Sequence, residues 1–396
     1  MIARIIIPLI LMIVLSDLYI DKHYLRHRVK YTWWKRMLWW IPGAVMLVLS
    51  VVMAFSKNFV PENTDLLYGF LFLIGLLVVP KALYALCSFL GWRLCRLRKK
   101  RINWGNLLGL VLAFYSIYVL VYGCTIGFHR LEVKHLDYTF EDLPAAFDGY
   151  RIVQFSDIHV GSYTDSRKAI LTRALDSINA QNADAIVFTG DILNARPHEL
   201  YPVMNQLSQL KAKDGVFSIL GNHDYSYYTR NDDPAIRAAN ERETVSRERQ
   251  MGWQLLLNEH KVIKRGKEAI VIAGMENLGK EVKGMSPDYP MKGDVKKTLE
   301  GVSDDAFVVM LQHEPWPWRH VILPERKVQL TLSGHTHGGQ ITFFGFSPMG
   351  ALQDEWSGEY REGNSILYVS NGLGGVIPLR FGATGEIVVI TLHRKR

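Results

Sequence analysis

The chain has 396 residues, 48% of them hydrophobic and 21% charged, with 46 Lys and Arg against 38 Asp and Glu and a pI near 9.2; that length argues for more than one domain. Residues 1–128 carry 15 Lys and Arg against 4 Asp and Glu, a net of +11, whereas the remaining 268 carry 31 against 34, a net of −3, so the basic pI does not mark a nucleic-acid binder. All three cysteines (Cys87, Cys95, Cys124) fall in the first part, which excludes a disulfide framework and thiolate catalysis from the rest.

Four apolar stretches open the chain, at roughly residues 1–20, 37–55, 66–91 and 106–128. Each has about the 20 residues that cross a bilayer as a helix. The first lacks a small-residue cleavage site and is expected to be retained rather than removed as a signal peptide. The loops DKHYLRHRVKYTWWKR and WRLCRLRKKRINW carry six Lys or Arg each, and the intervening SKNFVPENTD carries one Lys against two acids. The positive-inside rule then puts the first and third loops in the cytoplasm. The N-terminus and everything after the fourth helix are expected on the extracytoplasmic side of the cell (inner) membrane. Two ionisable residues fall within these stretches: Lys81 is expected to snorkel or face the bundle interior, and Asp17 to sit at the interface. So few intramembrane polar groups leave little to line a transport pathway.

A linker is expected at 129–149, and from Tyr150 the pattern changes to short β-branched runs ending in Gly, Asp, Asn or His. RIVQFSDIH, AIVFTGD, VFSILGNHD, AIVIAG, AFVVMLQHE, VQLTLSGHTH, SILYVSNG and EIVVITLHR read as strands. Helix-like patterns at 165–182 and 198–212 intervene, giving a mixed α/β domain over 150–396 with a largely buried sheet. The charged segment 229–250 reads as an exposed helix or mobile loop.

Polar residues gather where these strands end. Asp157 and His159 are two apart, as are His335 and His337 in GHTHGGQ, and strand alternation would point each pair to one side. Asp191 follows the second run, Asn222, His223 and Asp224 the third, and His313 the fifth. Strand C-terminal ends are where sites in α/β sheets form. Oxygen and imidazole donors without sulfur suit Zn, Mn, Fe or Ni. Seven donors exceed the needs of one ion, and two divalent ions sharing a bridging carboxylate is the economical arrangement. Trp316, Trp318 and His320 are expected to pack against the sheet or face the membrane, and Arg380 is a candidate contact for a substrate phosphate.

The order Asp-x-His, Gly-Asp, Gly-Asn-His-Asp, His, Gly-His-x-His resembles the calcineurin-like metallophosphoesterase superfamily. GHTHGGQ and the tail NGLGGVIPLRFGATGEIVVITL, residues 371–392, are most similar to its bacterial membrane-associated branch. The resemblance implies a four-layer α/β/β/α sandwich, here preceded by a four-helix transmembrane region. It further implies one metal held by Asp157, His159, Asp191 and His337 and a second by Asp191, Asn222, His313 and His335, with Asp191 bridging. Two divalent ions against two aspartates and a hydroxide leave about +1, which favours an anionic phosphoryl group. Such ions lower the pKa of a bound water toward about 7, so the expected reaction is in-line attack of a bridging hydroxide on phosphorus. His223 is the expected proton donor to the leaving oxygen, and Asp224 either orients it or caps the following segment. The expected substrate is a phosphodiester or pyrophosphate, lipid-linked or of the cell envelope, with no nucleic-acid partner. The alternatives are a non-catalytic scaffold on the same fold and a phosphomonoesterase of broad specificity.

Overall fold

The computed structural model describes residues 2–27, 32–55, 64–163, 167–229, 233–281 and 289–395. Residues 28–31 of the first basic loop, 56–63 of the second loop, 165 and 166 of the first helix-like pattern and 230–232 of the charged segment lie outside the described residues. The chain divides into two compact units, Met1–Cys124 and Thr125–Arg396.

Each of the four expected apolar stretches is helical. They form α1 (Ile2–Ile20), α2 (Trp33–Ala54), α3 (Thr64–Leu73) running through a π-helical turn, Ile74–Val78, into α4 (Val79–Arg98), and α5 (Trp104–Tyr122). Three continuous helical segments, Trp33–Ala54, Thr64–Arg98 and Trp104–Gly127, are long and apolar enough to cross a membrane. The π turn sits directly before Pro80, whose missing N–H breaks the α-helical ladder. Asp17, expected at an interface, is buried instead, and its Oδ1 accepts from Lys81 Nζ at 2.6 Å. The Lys81 ammonium also lies 4.9 Å from the Trp39 ring centroid. Asp21 is likewise buried and takes a two-pronged contact from Arg36, Nε to Oδ1 at 2.9 Å and Nη2 to Oδ2 at 2.7 Å. These pairings explain how α1 and the π-helical turn that follows it, Asp21–Leu25, each tolerate a buried carboxylate: a charge withdrawn from water must be matched.

The second unit contains β1 (Leu131–Phe140), β2 (Tyr150–Phe155), α6 (Lys168–Asn179), β3 (Ala185–Phe188), α7 (Met204–Leu207), β4 (Val216–Ser218), α8 (Pro234–Gln250), β5 (Gln254–Leu255), β6 (Glu259–Arg265), β7 (Glu268–Gly274), β8 (Phe307–Leu311), β9 (Leu330–Ser333), β10 (Gly358–Glu362), β11 (Ser365–Val369) and β12 (Gly385–Arg394). All eight runs read as strands form strands. They assemble into two six-stranded sheets, β1-β12-β2-β3-β4-β5 and β10-β11-β9-β8-β7-β6. Within the first, β2, β3 and β4 run parallel; within the second, β7, β8, β9 and β11 do.

Layering follows from burial on both strand faces. Ile152, Val187, Phe217 and Ile390 of the first sheet pack against Ile270, Phe307, Val309 and Leu332 of the second, forming the central core. The other face of the first sheet, with Val153, Phe155 and Ile186, is covered by Leu171, Leu175 and Ile178 of α6. Val308 and Met310 on the far side of the second sheet meet Val295, Leu299 and Ile322. The result is the expected α/β/β/α sandwich.

Residues 129–149, expected to be a linker, instead contain β1, which pairs with β12 in parallel over ten residues, Leu131↔Gly385 to Phe140↔Arg394. Tyr138 and Phe140 are buried in the inter-sheet core. Pattern 198–212 yields only a 3₁₀ turn, Pro197–Leu200, and the four-residue α7. The charged segment does form a helix, α8, capped by the Asp233 carboxylate on Ala235 N at 2.7 Å.

Because β1 contributes both a ladder and two core aromatics, a soluble fragment starting at residue 125 is expected to melt cooperatively. One starting at residue 150 should aggregate, having bared the β12 edge. Equal melting temperatures for the two fragments would show β1 to be dispensable.

Candidate metal centre

The parallel strands β2, β3 and β4 of one sheet and β8 and β9 of the other all end at one site. The sheets are stitched together there by Gln154, whose Nε2 donates to Ser333 O at 2.9 Å. β2 ends at Phe155 and β9 at Ser333, so Asp157, His159, His335 and His337 lie beyond the strands, and strand alternation does not aim them. Their backbone does: Asp157, His159, Asp191, His335 and His337 all have left-handed φ, between 51° and 72°. Non-glycine residues reach that region only at a cost, and such strain collects at functional sites.

The folded loops bring all seven expected ligands together. Asp157, His159 and His337 form one group and Asp191, His313 and His335 another, each with its donor atoms within 4.8 Å of one another. Asp191 Oδ2 lies 3.5 Å from His159 Nε2 and 3.3 Å from His313 Nε2, between the two groups. Asn222 Oδ1 is 3.1 Å from His313 Nε2 and 2.9 Å from His335 Nδ1. A third group of His159, Asp191 and His223 brings the expected proton donor to the same place.

Backbone carbonyls set the imidazole tautomers. A carbonyl only accepts, so His159 Nδ1 donates to Leu193 O (2.8 Å), His313 Nδ1 to Thr189 O (2.7 Å) and His223 Nδ1 to Asn194 O (2.6 Å). Each Nε2 is left as the ligand or proton-transfer atom, the usual orienting device for metal-binding histidines. His159 Nε2 and His337 Nδ1 are buried with no hydrogen-bond partner. A buried imidazole nitrogen without a donor is what a cation satisfies, so the residues fit a metal.

Charge points the same way. Burial pushes the His159 pKa down to about 3 and lowers those of His335, His337 and His223, leaving neutral imidazoles. Burial opposes protonation of His313 too, but the Asp191 and Asp157 charges outweigh it and lift its pKa to about 10. Asp191 stays well below the carboxylate range, its own burial overcome by His313, His223 and His159. A divalent cation held by His313 would compensate Asp191 in place of that proton, so binding would release it.

Two residues depart from expectation. Asp224 makes no contact with the His223 ring; its Oδ2 accepts from Asp191 N (2.9 Å) and Gly221 N (2.8 Å), and its Oδ1 from Leu193 N (3.0 Å). It ties the loop after β3 to the loop after β4. Arg380, a candidate phosphate contact, is buried and donates to the carbonyls of Asn371, Gly372, Gly374 and Ala383, so it holds the tail loop. That loop backs the first metal group: Leu373 N donates to Ser156 O and Gly374 N to Asp157 O, both at 2.8 Å. At Gly372 (φ 70°) a Cβ would stand 2.6 Å from that of Asp157. Trp318 packs against the sheet with Leu367 and Val369, as expected, whereas the exposed His320 stacks on Trp316.

Sequence reading missed Tyr228. Its hydroxyl accepts from Asn222 Nδ2 at 2.7 Å, turning Oδ1 toward His313 and His335, and its ring stacks on His223 at 4.1 Å. The aromatic run after GNHD was the available signal. Glu314 was missed as well; it accepts from Tyr289 Oη (2.7 Å) and Asn277 Nδ2 (3.0 Å) beside His335.

Asp224→Ala strands three buried N–H groups and is expected to cost on the order of 3 kcal/mol or more in denaturant unfolding, with loss of bound metal. Full stability and full metal content with loss of turnover would instead make Asp224 a reacting group.

Comparison with known proteins agrees with this geometry. Residues 150–339 match the family model for the calcineurin-like phosphoesterase, and residues 3–128 match that of a probable calcineurin-like phosphoesterase transmembrane domain. The chain is 34% identical over 291 residues to the metallophosphoesterase YkuE of Bacillus subtilis, covering 69% of this chain and 91% of that protein. It is 30% identical over 298 residues to a zebrafish (Danio rerio) transmembrane protein with metallophosphoesterase domain, covering 73% of this chain and 64% of the zebrafish protein's length. With its strand-end histidines and aspartates gathered at one site behind a membrane-spanning region, the chain belongs to the calcineurin-like metallophosphoesterase family.

Proposed function

We propose that the protein is a dinuclear metal-dependent phosphoester hydrolase of phosphodiesterase or pyrophosphatase type, acting on the extracytoplasmic side of the cell (inner) membrane on a lipid-linked or cell-envelope substrate. The observation that carries the dinuclear reading is the position of Asp191 Oδ2 between His159 Nε2 and His313 Nε2. Asp157, His159, Asp191 and His337 would hold one ion, and Asp191, Asn222, His313 and His335 the other. When bound, two divalent transition ions (Mn, Zn, Fe or Ni) supply positive charge for the phosphoryl oxygens and acidify water. The extracytoplasmic side is favoured by the six Lys or Arg in each of the first and third loops.

The protein's own residues do the remaining work. His223 keeps Nδ1 on the Asn194 carbonyl and offers Nε2 for a proton to the leaving oxygen. Tyr228, stacked on that ring, limits its rotation. The His223 main-chain N–H donates to Asp191 Oδ1 at 2.9 Å, so one short segment both positions the carboxylate and carries the proton donor. Burial keeps the His159, His335 and His337 imidazoles neutral, so those three would offer unprotonated nitrogens to the ions, whereas His313 would first give up its proton.

The test is hydrolysis of bis-p-nitrophenyl phosphate and p-nitrophenyl phosphate by full-length protein in detergent. Activity should fall away on chelation, return with Mn²⁺ or Zn²⁺, and favour the diester. His223→Asn should keep its metal and lose roughly 10²- to 10⁴-fold in turnover. Metal-loaded protein inert toward every phosphoester would favour a binding role on this fold, and a preference for the monoester would make it a phosphomonoesterase.

A further inference from the structure

The segment that delivers His335 and His337 continues into a loop that neither the sandwich nor the metal centre explains. Residues 338–353, GGQITFFGFSPMGALQ, contain no charged side chain. Phe344 is 98% exposed, Phe346 79% and Leu352 77%, the three most exposed large hydrophobics among the described residues of the catalytic unit. Isolated exposed apolar residues are ordinary on a protein surface; three within nine residues on one projecting loop are not.

The loop is built to present them. Phe343 and Phe346 exchange both main-chain hydrogen bonds, at 2.8 and 2.9 Å, around Phe344 and Gly345, whose φ values are 51° and 82°. Two positive φ values in a two-residue connection make a type I′ hairpin, where Asn, Asp or Gly normally occupies the first central position. An aromatic there is strained, and its ring, nearly wholly exposed, gains no packing in the fold to offset that strain. The base of the hairpin is fixed: Thr342 N donates to Phe381 O at 2.7 Å, Phe381 N to Gln340 O at 2.8 Å, and the Phe343 and Phe381 rings lie 5.5 Å apart. Its return leg is tied to the ligand segment through Thr336 Oγ1, which donates to Trp356 O at 2.5 Å. Phe344 is seven residues from His337, so by chain length it is at most about 25 Å away.

We propose that this hairpin tip and Leu352 form a lipid-docking element that enters the bilayer interface and brings the metal centre to phosphoesters carried in a membrane. A bilayer is the occupant the chain itself supplies. Three helical segments can cross one, and the helical stretch that contains Gly123–Gly127 runs on to His129, one residue short of β1. Aromatic and aliphatic side chains on an uncharged, rigid tip suit the headgroup–acyl boundary. The substrate half of this inference rests on the phosphoester hydrolase reading; the docking half does not.

The test uses the full chain with Cys87→Ala, Cys95→Ala and Cys124→Ala, reconstituted into phosphatidylcholine–phosphatidylglycerol vesicles. An environment-sensitive fluorophore is attached at Phe344→Cys or, as an aqueous control, at Lys296→Cys, whose native side chain is 79% exposed. The label at 344 is expected to emit blue-shifted and to lose more than about half its intensity to lipids spin-labelled near the headgroup, the depth of an interfacial anchor, with the control unaffected. An unshifted, unquenched label at 344 overturns docking. So does a signal that follows protein density instead of quencher, which would mean contact between copies.

A second readout addresses the substrate. Phe344→Asp with Phe346→Asp should lower turnover of a p-nitrophenyl phosphodiester borne on a lipid by at least about tenfold, and leave that of soluble bis-p-nitrophenyl phosphate unchanged. Equal turnover on the lipid-borne ester overturns the substrate half. If no phosphoester is hydrolysed by the parent, the hydrolase reading fails while the fluorescence result still decides docking.

Discussion

One buried carboxylate, Asp191, is the point on which the site depends. Its Oδ2 lies between His159 and His313 and its Oδ1 takes the His223 main-chain N–H. Its own N–H is held by Asp224, and its φ of 61° is left-handed. Four of the five ligand-bearing loops are therefore coupled through a single side chain or its immediate support. Two like-charged ions could approach one another there only with a negative group between them, and the Asp191 carboxylate stands where the proposed pair would need it.

The sandwich bears the cost of that arrangement. Five of the proposed ligands sit in a backbone region that disfavours side chains, and two imidazole nitrogens, His159 Nε2 and His337 Nδ1, are buried without a hydrogen-bond partner. The two sheets, packed through an apolar core and joined by Gln154 at the site's edge, keep the loops from relaxing. Arg380 and Asp224 serve the same end from opposite sides, one bonding four carbonyls and the other three amides. Both are buried, and the hydrogen bonds each makes run to the main chain.

Much of this was legible in the sequence. The central strands announce themselves as β-branched runs because they are buried on both faces, and every ligand stands just past one. The four strands that escaped notice are the sheet edges: β5, only two residues long, and β1, β6 and β10, whose LEVKHLDYTF, EHKVIKR and GEYRE are diluted by charges that shield an exposed ladder. Positive φ leaves no compositional trace, so strand alternation picked out residues that do come together, but for the wrong geometric reason. Asp224 and Arg380 were left open by the sequence, because their peptide-group partners lie on other loops or several residues away and no local pattern marks them. Lys81 was foreseen as an inward-facing cation, whereas its pairing with Asp17 across α1 and α4 depends on a tertiary contact that no local pattern encodes.

The central claim, that the strand ends hold two ions across Asp191, is tested most directly by the metal content of full-length protein purified without chelator, beside Asp191→Asn. The account predicts about two transition ions per chain in the parent and loss of both in the variant, because each group shares that carboxylate. A parent that retains only one ion, or a variant that still binds two, would contradict it.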